Sequence, residues 1–301
     1  MDYMDAPVLF SITLLLLVSA CRPDSAPVGP GPSPTPVPAV CDAGEFLDEV
    51  FPEPIVEHDV VYSRVTDPFG THDLNMDIYQ PRGDTRRKRP AIVWVHGGKF
   101  QQGHKGNLKE FAMEFARRGY VCAAIEYRLW RAYDPSAPAA KCVEIAQSDA
   151  QAAIRFLRVH AVDLTLDPAR IAIAGYSAGS LTSFAVGYQY EFSGDNVSNP
   201  GQPHTVAAVM GMDGFLVKPT DLLSSDPPFV LFRSGITSDI PDDREDPDAV
   251  PKLLAAADTL GIPHELHIVP GADHVNLVKP PFSQVIIAQA APFLRGYVAC
   301  R

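Results

Sequence analysis

The hydrophobic and polar positions change period several times along the chain. Val56–Val65 and Leu74–Tyr79 read as an early pair of strands joined by a polar turn around Asp67–Gly70. Ala91–Val95 (AIVWV) is a short unbroken apolar run, the pattern of a strand buried on both faces. Leu108–Arg118 switches to helical spacing, with Phe111, Ala112 and Phe115 on one side and Gly119 as its stop. Tyr120–Ile125 is the next buried strand, and Val143–His160 a long helix whose stripe holds Ile145, Ala146, Ala150, Ala153, Ile154 and Leu157. Strand Arg170–Ala174 and helix Leu181–Tyr188 come next. Strands Val206–Met210, Phe229–Phe232 and Glu265–Val269 follow, with helices Ala249–Leu260 and Gln284–Tyr297. This alternation predicts an α/β fold, a mostly parallel central sheet with helices on both faces. Such sheets bind ligands beyond the carboxyl ends of their strands.

Two N-terminal stretches stand outside that pattern. Val8–Val18 is apolar except for Ser11 and Thr13, too short to span a bilayer and the length of a signal-peptide core. Val18-Ser19-Ala20-Cys21 follows and resembles the lipobox of bacterial lipoproteins, which implies cleavage after residue 20 and lipidation of Cys21. The plainer alternative is an ordinary cleavage site with an incidental Cys. The segment Met1–Ala6 departs from the signal pattern, with two acids and no Lys or Arg. Pro23–Val40 is rich in Pro, Gly, Ser and Thr, and reads as an extended spacer. The expected organisation is a signal peptide over 1–20, a lipidated Cys and linker over 21–40, and one folded domain over 41–301. It implies an exported protein of the bacterial cell envelope, held to the membrane by its lipid alone.

Composition narrows the partners. A hydrophobic fraction of 46% and a charged fraction of 20% are those of an ordinary globular chain. The net charge of −11 repels phosphate backbones, so nucleic acid is not an expected partner. Beyond Cys21 the cysteines are Cys41, Cys122, Cys142 and Cys300, an even number that favours two disulfides in an exported chain. Cys41 and Cys300 flank the folded domain. Cys122 with Cys142 is the doubtful pair, one beginning a strand and the other a helix near that strand's far end. The connectivity stays open.

The chemistry concentrates at Gly175-Tyr176-Ser177-Ala178-Gly179, which follows the strand IAIA and opens a helix. A sharp strand-to-helix turn lifts a serine hydroxyl above the sheet. Small neighbours two residues either side let the backbones pack, and the helix N-terminus favours developing negative charge. His96-Gly97-Gly98-Lys99 closes the strand AIVWV, and two glycines there let backbone N–H groups face a ligand. The chain contains no H-E-x-x-H, no paired C-x-x-C and no phosphate or dinucleotide fingerprint, so no metal or cofactor is expected.

Together with MDIYQP, RRGYVCAAIEYRL and DAQAAIRFLRVHAVDLTLDPARIAIAGYSAG, these segments resemble the α/β-hydrolase superfamily. The likeness is to its esterase and lipase branch, the acetyl-esterase, hormone-sensitive-lipase-like and carboxylesterase-like groups. It runs from about Ile55 to the C-terminus. It implies a serine hydrolase of carboxylic esters, with Ser177 as nucleophile and the N–H groups of Gly98, Lys99 and Ala178 as oxyanion donors. Lys99 and Ser180 stand where glycine is common in relatives, and the Lys99 ammonium either narrows the acyl pocket or meets an acidic group of the substrate. The base comes late in such chains. Gly271-Ala272-Asp273-His274 resembles the loop that presents it, which implies His274. His264, His267 and His96 read as packing, surface or loop-bracing residues.

The acid belongs after the strand PPFVLFRSG. An ungapped match to relatives puts Ser238 at its position, and a one-residue adjustment gives Asp239. Asp239 is favoured, with Asp242, Asp243 and Asp213 as alternatives. Asp149, on the long helix, reads as a structural partner for the turn after Tyr127-Arg128. Tyr188–Pro203 is a candidate partial lid, and Tyr176, Phe100, Tyr127 and Trp130 are candidate pocket residues. The expected substrate is a short-chain or acetyl ester. A peptidase or polymer esterase and a non-catalytic binding protein of the same fold are the alternatives.

Overall fold

The computed structural model describes residues 41–188, 194–214, 219–236 and 248–300. The signal peptide, Cys21, the Pro-rich linker, Asp239, Asp242, Asp243 and the middle of the candidate lid lie outside the described residues.

Eight strands form one sheet: β1 (Ile55–Asp67), β2 (Gly70–Gln80), β3 (Arg89–Val95), β4 (Val121–Ile125), β5 (Leu166–Tyr176), β6 (Val209–Met212), β7 (Phe229–Ser234) and β8 (His264–Val269). Their spatial order is β1-β2-β4-β3-β5-β6-β7-β8. The first two pairings, β1 with β2 and β2 with β4, are antiparallel, and all the others are parallel. The helices are α1 (Lys109–Arg117), α2 (Trp130–Tyr133), α3 (Ala139–Val159), α4 (Ala178–Tyr188), α5 (Ala249–Leu260) and α6 (Phe282–Leu294). The short α2 is a turn that apolar periodicity did not predict.

Side chains alternate across the central strands and divide the core in two. Ala91, Val93 and Val95 of β3 and Val121, Ala123 and Ile125 of β4 pack with residues of α3, α4 and α5, among them Cys142, Phe184 and Leu253. Ile92 and Trp94 of β3 and Cys122 of β4 pack on the other side with Phe111 and Phe115 of α1 and Phe293 of α6. This corrects the expectation of two disulfides. Cys122 and Cys142 lie in cores on opposite faces of the sheet, and both are free and buried. Cys41 and Cys300 are bridged, with Cα atoms 5.5 Å apart, and the bond ties the two ends of the described domain together.

The winding reverses at β3. The chain runs from β3 out to β4, then crosses back to β5 on the other side of β3. A crevice opens beyond the carboxyl ends of strands at such a reversal. The loop after β3 and the turn after β5 therefore meet at one place.

Candidate active site

Tyr176 ends β5 and Ala178 opens α4, so Ser177 alone makes the turn between them, with φ of 55°. Its N–H donates to the Met212 carbonyl at 2.8 Å, and its carbonyl accepts from Leu181 N–H at 3.0 Å. The turn is thus fixed to the end of β6 on one side and to the first turn of α4 on the other. Gly179 must be glycine because a Cβ there would run into the Val95 carbonyl oxygen of β3. The loop after β3 is equally close. A Cβ on Gly97 would stand 2.9 Å from the Tyr176 carbonyl and 3.1 Å from Ser177 Cβ. Gly98 and Lys99 follow directly, and Ala178 is buried at the first position of α4, where helix N–H groups lack intrahelical partners.

His274 reaches the same place from the other end of the sequence. Its loop follows β8 and is shaped by Asp273, whose side chain accepts from Val275 N–H at 2.9 Å and Asn276 N–H at 2.8 Å. His274 Nε2 lies 3.0 Å from Ser177 Oγ. Tyr176 donates its hydroxyl to the His274 carbonyl, and the two rings lie 5.2 Å apart. Burial, with Asp213 and Asp273 nearby, pushes the Tyr176 phenol well above its ordinary value and keeps it a donor.

The carboxylate on His274, among the described residues, is Asp213, immediately after β6. Its Oδ2 lies 3.3 Å from His274 Nδ1, and its Oδ1 accepts from Ser234 N–H at 2.8 Å. Asp213 is fully buried and, like Ser177, has a left-handed backbone, with φ of 49°. The buried Arg233 guanidinium lies 3.9 Å from Oδ1. Asp239, the favoured acid, is outside the described residues, so the geometry bears on Asp213 alone. A signal for Asp213 lay in the sequence at Ser180, the departure from glycine noted above. Its hydroxyl donates to the Gly214 carbonyl and pins the turn carrying Asp213 to α4.

The residues around this centre fall largely into supporting places. His96 is buried, stacks on Tyr127 at 4.4 Å and bonds the Gly97 carbonyl through Nδ1 at 2.7 Å. Its Nε2 faces Glu126 Oε2 at 3.5 Å. Burial opposes the charge on Glu126, but contacts from His96 and from Lys105 N–H outweigh it and hold that carboxyl below its ordinary value. His264 and His267 lie along β8 and bond Ile262 and Glu265. Asp149 binds Arg128 through its N–H at 2.9 Å and its guanidinium at 2.9 and 3.0 Å, the structural partnership expected of it. The described part of the candidate lid is held by the same network. Asp195 pairs with Arg128 at 2.6 Å, and Asn196 donates to Asp149 at 3.0 Å. Arg128 itself, buried beside three carboxylates, was not singled out from the sequence.

Comparisons with known proteins agree with the fold. The family model BD-FAE, an α/β-hydrolase esterase family, matches residues 76–238. The gut esterase 1 of Caenorhabditis briggsae is 28% identical over 114 residues, covering 37% of this chain and 20% of that protein. The chlorogenic acid esterase of Aspergillus niger is 26% identical over 123 residues, covering 38% of this chain and 24% of that protein. The chain thus spans about a fifth to a quarter of the length of these curated relatives. Esterase 2 of Thermogutta terrifontis, solved with butyrate bound, superposes with a TM-score of 0.67 at 22% identity, covering 83% of this chain and 97% of that one. That likeness is one of fold.

Proposed function

The chain belongs to the BD-FAE family of α/β-hydrolase esterases, and from that membership we propose that it hydrolyses carboxylic esters through an acyl-enzyme on Ser177. The observation that carries the reading is the 3.0 Å approach of His274 Nε2 to Ser177 Oγ across 97 residues of sequence. In the tautomer that donates Nδ1–H to the Asp213 carboxylate, Nε2 is free to accept the serine proton. His274 takes that proton as Oγ attacks the ester carbonyl. The oxyanion is received by the N–H groups of Gly98, Lys99 and Ala178. The alcohol departs with the proton from His274, and water enters by the reverse path to release the acid. Asp213 holds the ring and stabilises the imidazolium.

The substrate in this reading is an ester with a short acyl group, supported by the butyrate bound to the Thermogutta terrifontis esterase of the same fold. Export is part of this proposal and is supported by the Cys41–Cys300 bridge, since such bonds persist in oxidising compartments. The Cys21 anchor belongs to the same proposal. A Cys21→Ser protein that still pellets with membranes would remove it.

The decisive experiment joins a fluorophosphonate label to turnover of a short-chain nitrophenyl ester. Wild type is labelled and active. Ser177→Ala is folded, unlabelled and slower by roughly 10⁴-fold or more. Labelling that survives in Ser177→Ala, or a wild type inert to both reagents, rejects the mechanism. The inert result would favour a binding protein of hydrolase fold.

A further inference from the structure

Lys99 occupies a backbone position that its side chain makes costly. Gln101 and Gln102 N–H groups both donate to the Gly98 carbonyl, at 3.0 and 3.1 Å, closing a tight turn over Lys99 and Phe100. Both central residues are left-handed, with φ of 59° and 60°. Turns of this kind favour glycine and asparagine, because a Cβ crowds the backbone. At Phe100 the strain is offset. The ring is 3% exposed and meets Tyr127 edge-on at 6.4 Å, and the Phe100 carbonyl accepts from Arg131 N–H at 3.0 Å. At Lys99 nothing in the described fold offsets it. The residue is exposed, and its ammonium has no hydrogen bond or ion pair among the described residues. Glycine would hold the same turn without the penalty. A strained side chain that the fold does not use points to a use outside the fold.

Its location says what that use is. Lys99 is two residues after Gly97, whose backbone stands against Ser177. Nearby cations are committed, Lys105 to Asp59 at 2.6 Å and Arg128 to Asp149 and Asp195. The whole chain carries −11, a field that disfavours anionic ligands, and Lys99 places beside the candidate site a positive charge without a partner among the described residues. We propose that Lys99 is a specificity-determining residue that selects esters bearing a carboxylate a few bonds from the scissile carbonyl. The backbone of Lys99 faces the oxyanion, and its flexible stem brings the ammonium to the second negative group of the same substrate. Hemiesters of dicarboxylic acids and esters of hydroxy acids are the fitting chemical class.

The inference rests on the esterase reading, and the test separates the two. Monoethyl glutarate is compared with its neutral isostere, the ethyl ester of glutaric acid monoamide. Then 4-acetoxybutanoate is compared with 4-acetoxybutanamide, which moves the charge from the acyl to the alcohol side. The quantity read is the ratio of kcat/KM for the anionic ester to that for the neutral one, within each variant. In wild type at low salt the ratio exceeds one in at least one pair. Lys99→Met lowers that ratio by about tenfold, the scale of one ion pair near a protein surface. Lys99→Arg keeps most of it, and salt at about 0.5 M reduces it in wild type and Lys99→Arg but not in Lys99→Met. A merely structural role for the side chain would change both members of a pair together and leave the ratio and its salt dependence unmoved. If the neutral esters are turned over but neither ratio differs between wild type and Lys99→Met, the Lys99 proposal falls and the esterase reading stands. If wild type turns over the nitrophenyl ester but none of the four, the Lys99 proposal alone falls; if it is inert to the nitrophenyl ester and the fluorophosphonate as well, both fall.

Discussion

Two of the described aspartates are fully buried and are held in opposite ways. Asp149 and Asp213 both have no exposed surface. Asp149 sits in the regular backbone of α3 and is saturated. The Arg128 guanidinium grips both of its oxygens, and the N–H groups of Arg128 and Asn196 complete the set. Asp213 sits just past the end of β6 in a left-handed conformation. One oxygen takes Ser234 N–H, and the other is left to an imidazole at 3.3 Å. The difference separates holding from working. A saturated carboxylate in relaxed backbone fixes shape and has no capacity left for a proton that moves. An incompletely satisfied one, held by strained backbone beside a histidine, has capacity left to stabilise an imidazolium, the role proposed for Asp213. Of the eight non-glycine residues with positive φ among those described, Lys99, Phe100, Ser177 and Asp213 gather at this site.

The sharpest way to break the comparison is to neutralise each aspartate in turn. Asp213→Asn keeps the shape but offers His274 an amide, which favours the wrong tautomer. It is expected to lower kcat/KM by roughly 10⁴-fold, about 5 kcal/mol of transition-state stabilisation, with little loss of stability. Asp239→Ala is the companion measurement. Turnover within a few-fold of wild type there leaves Asp213 as the acid, while a collapse at Asp239 with activity kept in Asp213→Asn reverses the assignment.

Arg128→Met strikes the saturated side. It strands Asp149 and Asp67, whose side chains are almost wholly buried, without their cation. Removing one partner of such a pair costs about 3–5 kcal/mol. Urea unfolding should show that loss, with fluorophosphonate labelling of the folded fraction retained. Loss of labelling with unchanged stability would mean that the Arg128 network takes part in the reaction.

The two sides were also unequally legible in the sequence. The parallel sheet and its helices could be read from their apolar periods, and Ser177 and His274, which lie 3.0 Å apart, each carry a local mark, a strand-to-helix turn and a glycine-led loop. Asp149 could be read as structural because a carboxylate on the buried stripe of a helix must find a partner nearby. The contact of Asp213 with His274 has no such local mark. Which carboxylate meets His274 is a tertiary fact: the resemblance favours Asp239 in the loop after β7, outside the described residues, and the contact among the described residues is from Asp213. The clue was spread over two places, Ser180 on α4 and Gly214 beside Asp213, and it makes sense only when they touch. Cys122 and Cys142 failed for a similar reason. Even cysteine counts suggest pairs, but the alternation of side chains in β4 sends Cys122 to the face of the sheet opposite α3.

Acid titration tests the network more gently than Arg128→Met. The hydrogen bond from Arg128 holds Asp195 below the ordinary carboxylate range, with burial opposing it, so the folded form binds this proton less readily than the unfolded chain. Its contribution is present above the unfolded value near 4 and is lost as pH falls through the folded one. Asp195 is about half exposed, and solvent screening limits the effect to about 1 kcal/mol. Urea midpoints of wild type and Asp195→Asn should therefore differ most above about pH 5 and converge toward pH 3. A gap that persists unchanged into acid would assign the difference to packing instead of charge.

The smallest expected effect lies at Lys99 and has the unusual sign. A left-handed conformation costs a side-chain-bearing residue about 1–2 kcal/mol. Glycine avoids that cost but gives up about 0.5–1 kcal/mol in the greater freedom of its unfolded chain. Lys99→Gly should therefore stabilise the protein by about 0.5 kcal/mol, a rise in Tm of about 1–2 °C for a domain of this size. The same change at Phe100, with nearly the same φ, removes a buried ring and must destabilise. Opposite signs at adjacent residues would show that the strain under Phe100 is offset within the core while that under Lys99 is not. A Lys99→Gly protein that melts earlier than wild type would mean that the lysine stem packs on the surface after all, and the case for its use outside the fold would lose its physical ground.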